Sequence, residues 1–388
     1  MMSLRSPTRP GLLPLQRAPT LDPSAVATAM NAPAKKTQRD STYDVLRGLA
    51  IVTMLCANVI GYVTPSAAHP LWLRVYGSFA APLFIALAGL VASLGIRSKG
   101  HGFGYFFKRG ALIIATAALI IDVAIWQILP FTTYDVLYLI GFSFMVLFYF
   151  EKMSLAPRIA VTVAVVVATP LLQRYLGYTD LPTEYDLNGK LTMEIAHPTP
   201  IWQHWLLDGW FPVFPWIAFA FMGGLMLDAK AKLGSYRDRR FVLGSLALFA
   251  AGNALFWRLS FAAVEVDRGA YSEIFYPPTV GYVLIAAGLF GLLAAAVEKH
   301  AGHAAFFPLR VMGQASMFIY ILHTALVQFF VLPRFADPKT EEATGSLNAS
   351  FVVYGLMTAV CLLASLGLHF LKKKWKPKNF IVRFYIGS

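Results

Sequence analysis

Charge is scarce in this sequence. Only 14% of its 388 residues are Asp, Glu, Lys or Arg, against about 25% in soluble globular domains. An ordinary water-soluble fold is excluded. Cysteine is scarcer still, with Cys56 and Cys361 the two present, both inside apolar runs. They read as buried free thiols; a disulfide framework or a zinc site has too few residues to be built, and no metal site is expected. The basic start of the chain is not followed by the apolar stretch of a secretory signal peptide. Residues 43–228 and 241–371 show no internal duplication, which argues against the inverted repeats of many transporters. No basic stripe interleaved with aromatics exists either, so the net charge of +13 does not indicate nucleic acid.

What the sequence has is apolar length. It is 57% hydrophobic with mean hydropathy +0.59, and many runs approach the ~20 residues that cross a bilayer core. Spans are predicted at 43–63, 77–97, 109–129, 133–150, 158–174, 211–228, 241–261, 279–297, 311–332 and 350–371. The expected fold is therefore all-α, a polytopic integral membrane protein with about ten transmembrane helices. Residues 1–40, rich in Pro, Ala, Ser, Thr and basic side chains, are expected to be a disordered cytoplasmic tail, with Met30 an alternative start. The transmembrane domain covers 41–371, and residues 372–388 form a second basic tail.

Basic residues sort by loop. One set of short loops carries Arg97, Lys99, Lys108 and Arg109, then Lys152 and Arg158, then Lys230 to Arg240, then Lys299 and Arg310. The alternate loops are poorer in them. By the positive-inside bias the first set and both termini are cytoplasmic. The longer loops then face outward: 175–210, 262–278 and 333–349. Long loops on one face favour a binding surface there.

Polar side chains inside spans are costly and are functional candidates for that reason. Asn58 lies ~20 Å beyond the cytoplasmic start of the first span, at ~1.5 Å per residue. His69 follows in the first outer loop. Asp122, Asp135 and His323 fall at a similar outer level in other spans. For any one of them a structural hydrogen bond is the simpler explanation; their common depth points to a shared polar cavity. At the cytoplasmic edge Asp44 and Arg47 are spaced i, i+3 and can pair as ordinary helix-start chemistry. Alternatively Arg47, with Arg97, Lys108 and Arg109, makes a cationic mouth for a phosphorylated cytosolic ligand, since guanidinium suits phosphate.

The stretches YDVLRGLAIVTMLCANV, HPLW and FAAPLFIALAGLVASL, followed by FPVFPWIAFAFMGG and GQASMFIYILHTALVQ, resemble in this order the heparan-α-glucosaminide N-acetyltransferase catalytic family. The resemblance implies transfer of an acetyl group from cytosolic acetyl-CoA to an amino sugar or glycan beyond the membrane. It implies that His69 is catalytic and Asn58 its helper; the chemistry of Asp122, Asp135 and His323 then suits them to support or to the acceptor. The nucleotide end of acetyl-CoA is then expected at the cationic mouth of Arg47, Arg97, Lys108 and Arg109. The setting implied is the plasma (bacterial inner) membrane, multi-pass in the lipid bilayer, with a homodimer one expected assembly. Competing readings are a membrane O-acyltransferase of glycan or lipid-linked hydroxyls, a small-molecule transporter, and a non-catalytic scaffold.

Overall fold

The computed structural model describes residues 40–65, 68–179, 183–192, 198–259, 267–268, 271–272, 278–337, 342–375 and 377–387. The expected tail 1–40, Asp40 excepted, lies outside these residues. So do most of the outer segment 262–278 and parts of the loops 175–210 and 333–349.

Among the described residues nine helices are long and apolar enough to cross a membrane. The shorter apolar helix Val136–Phe150 completes the ten expected segments. In chain order the principal helices are α1 (Ser41–Val63), α2 (Leu71–Ser78), α3 (Ala80–Lys99), α4 (Phe103–Thr116), α5 (Val136–Phe150), α6 (Leu155–Leu176), α7 (Val213–Leu233), α8 (Arg239–Leu259), α9 (Val280–Glu298), α10 (Phe307–Gln314), α11 (Ser316–Leu326), α12 (Leu347–Lys374) and α13 (Phe380–Ile386). A two-residue antiparallel pair, Asp267–Arg268 with Tyr271–Ser272, is the small exception to helix. The chain is an all-α polytopic membrane protein.

Several spans differ from the sequence expectation. The second runs as two pieces, α2 and α3, separated at Phe79. Pro82 has no N–H for the Ser78 carbonyl one turn back; that carbonyl accepts instead from the Tyr282 hydroxyl at 2.5 Å. The third span continues beyond α4 as a wider π-helical segment, Ala117–Trp126. The ninth is broken into α10 and α11 at Ala315, whose backbone leaves the helical region.

The loops collect at two ends of the bundle. At one end Leu129 N donates to Tyr185 O at 2.7 Å, Trp210 N to Thr133 O at 3.2 Å and Gly345 N to Val63 O at 2.7 Å. At the basic end Lys230 bridges Asp40 and Glu298 at 2.8 and 3.0 Å. Burial pushes the Asp40 carboxyl up, but hydrogen bonds from Lys230 and Thr42 outweigh it and hold the group below its ordinary value. Asp40 also caps α1, accepting from Thr42 N. The main core is packed from α1, α3, α5, α7 and α9, with Trp216 and Tyr282 among its largest buried side chains.

α1 and α10 cross at two glycines. A β-carbon at Gly48 would collide with the Leu309 backbone, and one at Gly313 with the Asp44 backbone. Gly48→Ala and Gly313→Ala are each expected to destabilise by about 1–3 kcal/mol, the usual cost of overpacking. Thermal unfolding in detergent measures this, and an unchanged midpoint would contradict the crossing.

Candidate active site

The polar site begins at Asn58 on α1, whose Nδ2 lies 2.9 Å from His323 Nε2. His323 Nδ1 lies 3.0 Å from the Ile319 carbonyl one turn earlier on α11. A carbonyl only accepts, so in the neutral ring the proton sits on Nδ1 and the Nε2 lone pair accepts from the Asn58 amide. His323 is 1% exposed and takes its orientation from these two bonds.

One turn along α11, the Tyr320 ring packs edge-on to His323 with centroids 5.3 Å apart. Its hydroxyl donates to Asp135 Oδ2 at 2.7 Å. The other oxygen of Asp135 accepts from Val136 N at 2.5 Å, capping α5. One turn into α5, the Tyr138 hydroxyl donates to Asp122 Oδ2 at 2.6 Å and accepts from Phe131 N at 3.1 Å. Asp122 stands in the π-helical segment, a geometry often found at functional sites. The structure thus brings Asn58 to His323 and holds Asp135 and Asp122 on hydroxyls of neighbouring helices.

His69 is held by different groups. Its Nε2 lies 2.8 Å from the Thr64 carbonyl at the end of α1, which puts the proton on Nε2 and the lone pair on Nδ1 in the neutral ring. The Thr64 and Ser350 hydroxyls share a bond of 2.5 Å, tying this corner to the start of α12. Nearby Trp72 stacks on Phe351 with centroids 6.3 Å apart. The two candidate histidines are therefore set in opposite tautomers. Thr64 lies six residues beyond Asn58, about 9 Å along the helix axis.

The expected cationic mouth is less uniform than the sequence suggested. Arg97 is bound to Glu151 at 2.6 Å and to Asp228 at 2.9 Å; Arg158 meets the same two carboxylates at 3.1 and 2.9 Å. Arg47 pairs with Asp44 at 3.3 Å and donates to the Gly313 carbonyl at 3.1 Å, while Gln314 Nε2 donates to Asp44 at 3.0 Å. Lys108 is exposed. Arg109 meets the Tyr105 hydroxyl at 3.3 Å and lies near the rings of Phe144 and Phe384.

Sequence reading missed the partners. Tyr320 lies three residues before His323, on the same helical face, and that spacing was the available signal. The pair His204 and Asp208, at i, i+4 in the segment before α7, was also passed over. Its atoms Nδ1 and Oδ1 are 2.6 Å apart and both side chains are fully buried. Gln203 Nε2 donates to the second Asp208 oxygen at 3.2 Å.

Residues 39–257 match the family described as heparan-alpha-glucosaminide N-acetyltransferase, catalytic. No curated protein matches the chain.

The network around Glu151 generates a stability prediction. Glu151, 1% exposed at its side chain, serves two cations, so its loss strands both Arg97 and Arg158, whereas loss of Arg97 leaves Glu151 still paired with Arg158. Removing one member of a buried pair strands its partner's charge and costs about 3–5 kcal/mol. Glu151→Gln is expected to approach that range in thermal unfolding, and Arg97→Gln to cost clearly less. Equal losses would refute the ranking.

Proposed function

The chain belongs to the heparan-α-glucosaminide N-acetyltransferase catalytic family, and on that premise we propose that it carries an acetyl group from cytosolic acetyl-CoA to an amino sugar or glycan on the extracytoplasmic side. Membership makes it a membrane acetyltransferase; donor, acceptor and the plasma membrane as its location are the proposal. One observation carries the reading: Asn58 bonds His323, the Tyr320 hydroxyl bonds Asp135 and the Tyr138 hydroxyl bonds Asp122, linking α1, α11, α5 and the π-helical segment inside an apolar bundle. Acid–base groups buried at that cost are functional by default.

In the proposed reaction His69 supplies the base or the nucleophile. With its proton held on Nε2 by Thr64 O, Nδ1 carries the lone pair. Along one route Nδ1 takes a proton from the acceptor amine as the amine nitrogen attacks the thioester carbonyl. The C–S bond then breaks, and the departing CoA thiolate receives that proton. Along the other route Nδ1 itself attacks and CoA leaves as thiolate; the amine then takes the acetyl group from the imidazole, and the proton it sheds passes by way of the freed Nδ1 to the thiolate. Both routes need an anionic oxygen stabilised in the transition state. An amide N–H of Asn58 serves that role, with His323 fixing the side chain. Arg47 and Arg109 suit the donor's phosphates.

The test is acetyl transfer in membrane vesicles supplied with acetyl-CoA and an amino-sugar acceptor. His69→Ala is expected to lose about 10²–10⁴-fold in rate, the range for general acid–base catalysis. Wild-type turnover in that variant would end the assignment. Label retained on the protein without acceptor selects the imidazole route. Mass spectrometry that finds O-acetyl rather than N-acetyl product would overturn the amine as acceptor.

A further inference from the structure

The helix that follows the last span does not sit apart from the bundle. α13 is only seven residues long, too short to be stable by itself in water; its tertiary contacts must hold it. Those contacts run up the cytoplasmic half of the molecule. Phe380 packs edge-on to Tyr105 with centroids 6.4 Å apart. The Phe384 ring lies 5.9 Å from the Arg109 guanidinium, with Phe144 at 5.6 Å. The Tyr385 hydroxyl shares a bond of 2.9 Å with Thr116 Oγ1. Ile386 is buried. The Gly387 backbone is pressed so closely on Gln314 that a β-carbon there would collide with the Gln314 carbonyl. Lys372 reaches both the Gly387 and Gln314 carbonyls, at 3.3 and 3.4 Å.

The placement is specific. Thr116 lies seven residues beyond Arg109, about 10 Å deeper along α4. Gln314 donates to Asp44, and Asp44 pairs with Arg47. The chain after the last span therefore enters beside Arg109 and ends against the residues that hold Arg47. It occupies the ground between two cations suited to a phosphorylated ligand. Arg109 Nε is also buried without a hydrogen-bond partner, and among the described residues no carboxylate pairs with this guanidinium. The side chain that α13 covers is a cation with binding capacity left over.

We propose that α13 is a plug carried by the chain itself, closing the cytoplasmic entrance of the phosphorylated donor and displaced when the donor binds. The proposal rests on the donor reading above. The covering helix buries few side chains, so its displacement requires little; the donor phosphate gains the Arg109 N–H groups that Tyr105 leaves unused.

The full-length chain tests this by thiol labelling with a membrane-impermeant, water-soluble maleimide. The native Cys56 and Cys361 are buried, and the parent chain measures their background. Thr116→Cys is expected to label slowly, and several-fold faster when Phe384→Ala and Ile386→Ala are added. An unchanged rate, in a variant whose thermal melt shows it folded, would overturn the plug. In a second arm, Tyr385→Cys is labelled with and without 3′,5′-adenosine bisphosphate, the thiol-free nucleotide portion of the donor. Faster labelling with the nucleotide is expected. No response, with the first arm positive, would leave the covering helix in place and overturn the donor as what displaces it, whether or not acetyl transfer is observed. In turnover Phe384→Ala is expected to lower the acetyl-CoA KM and leave the acceptor KM alone. A raised donor KM would make α13 a wall of the site, which contradicts a plug.

Discussion

A bilayer core offers no water to satisfy a polar group, so each must find its partner within the protein. The arrangement of this molecule follows from that constraint. Asn58, His323, Tyr320, Asp135, Tyr138 and Asp122 are not scattered through the bundle but joined, each donor to an acceptor on a neighbouring element. Backbone breaks obey the same rule. Where Pro82 leaves the Ser78 carbonyl without its helical partner, the Tyr282 hydroxyl supplies one. A group that is expensive to bury is tolerated where it is bonded, and such bonds hold side chains in the fixed orientations that acyl transfer needs.

The two ends of the bundle use charge differently. At the basic end, arginines and lysines are largely spent on the protein's own carboxylates: Arg97 and Arg158 on Glu151 and Asp228, Lys230 on Asp40 and Glu298. These pairs tie α3, α6, α7 and α9 together near the membrane surface, where attraction is less screened than in water. A loop cation is therefore weak evidence for a ligand site until its carboxylate neighbours are known. Arg109, with a hydroxyl and two rings around it, stands apart from that pattern.

Much of the fold was legible because apolar length is a local property. Among the described residues nine helices are long and apolar enough to cross a membrane, and the shorter apolar helix Val136–Phe150 occupies the fourth predicted span. The breaks at Phe79 and Ala315 were not legible in hydropathy, since the runs stay apolar through both. The first follows from a proline's missing donor, with the freed Ser78 carbonyl taken by the Tyr282 hydroxyl. Of the polar groups, the Asp44–Arg47 pair could be read from i, i+3 geometry. The mouth of four cations could not be resolved, because Glu151 and Asp228 approach Arg97 from distant parts of the chain.

The sequence by itself determined that this chain crosses a membrane repeatedly, which loops carry the positive charge, and which spans bear acid–base side chains. Those properties are set by local composition, over the roughly five or six turns of a single span. Only the tertiary structure decided who meets whom. Asn58 is 11 positions from His69 and 265 from His323, yet it is His323 whose ring nitrogen its amide faces at 2.9 Å. Partner choice across helices depends on which faces pack and at what height. Close approaches such as Gly48 on Leu309 set that register, and no local periodicity encodes it.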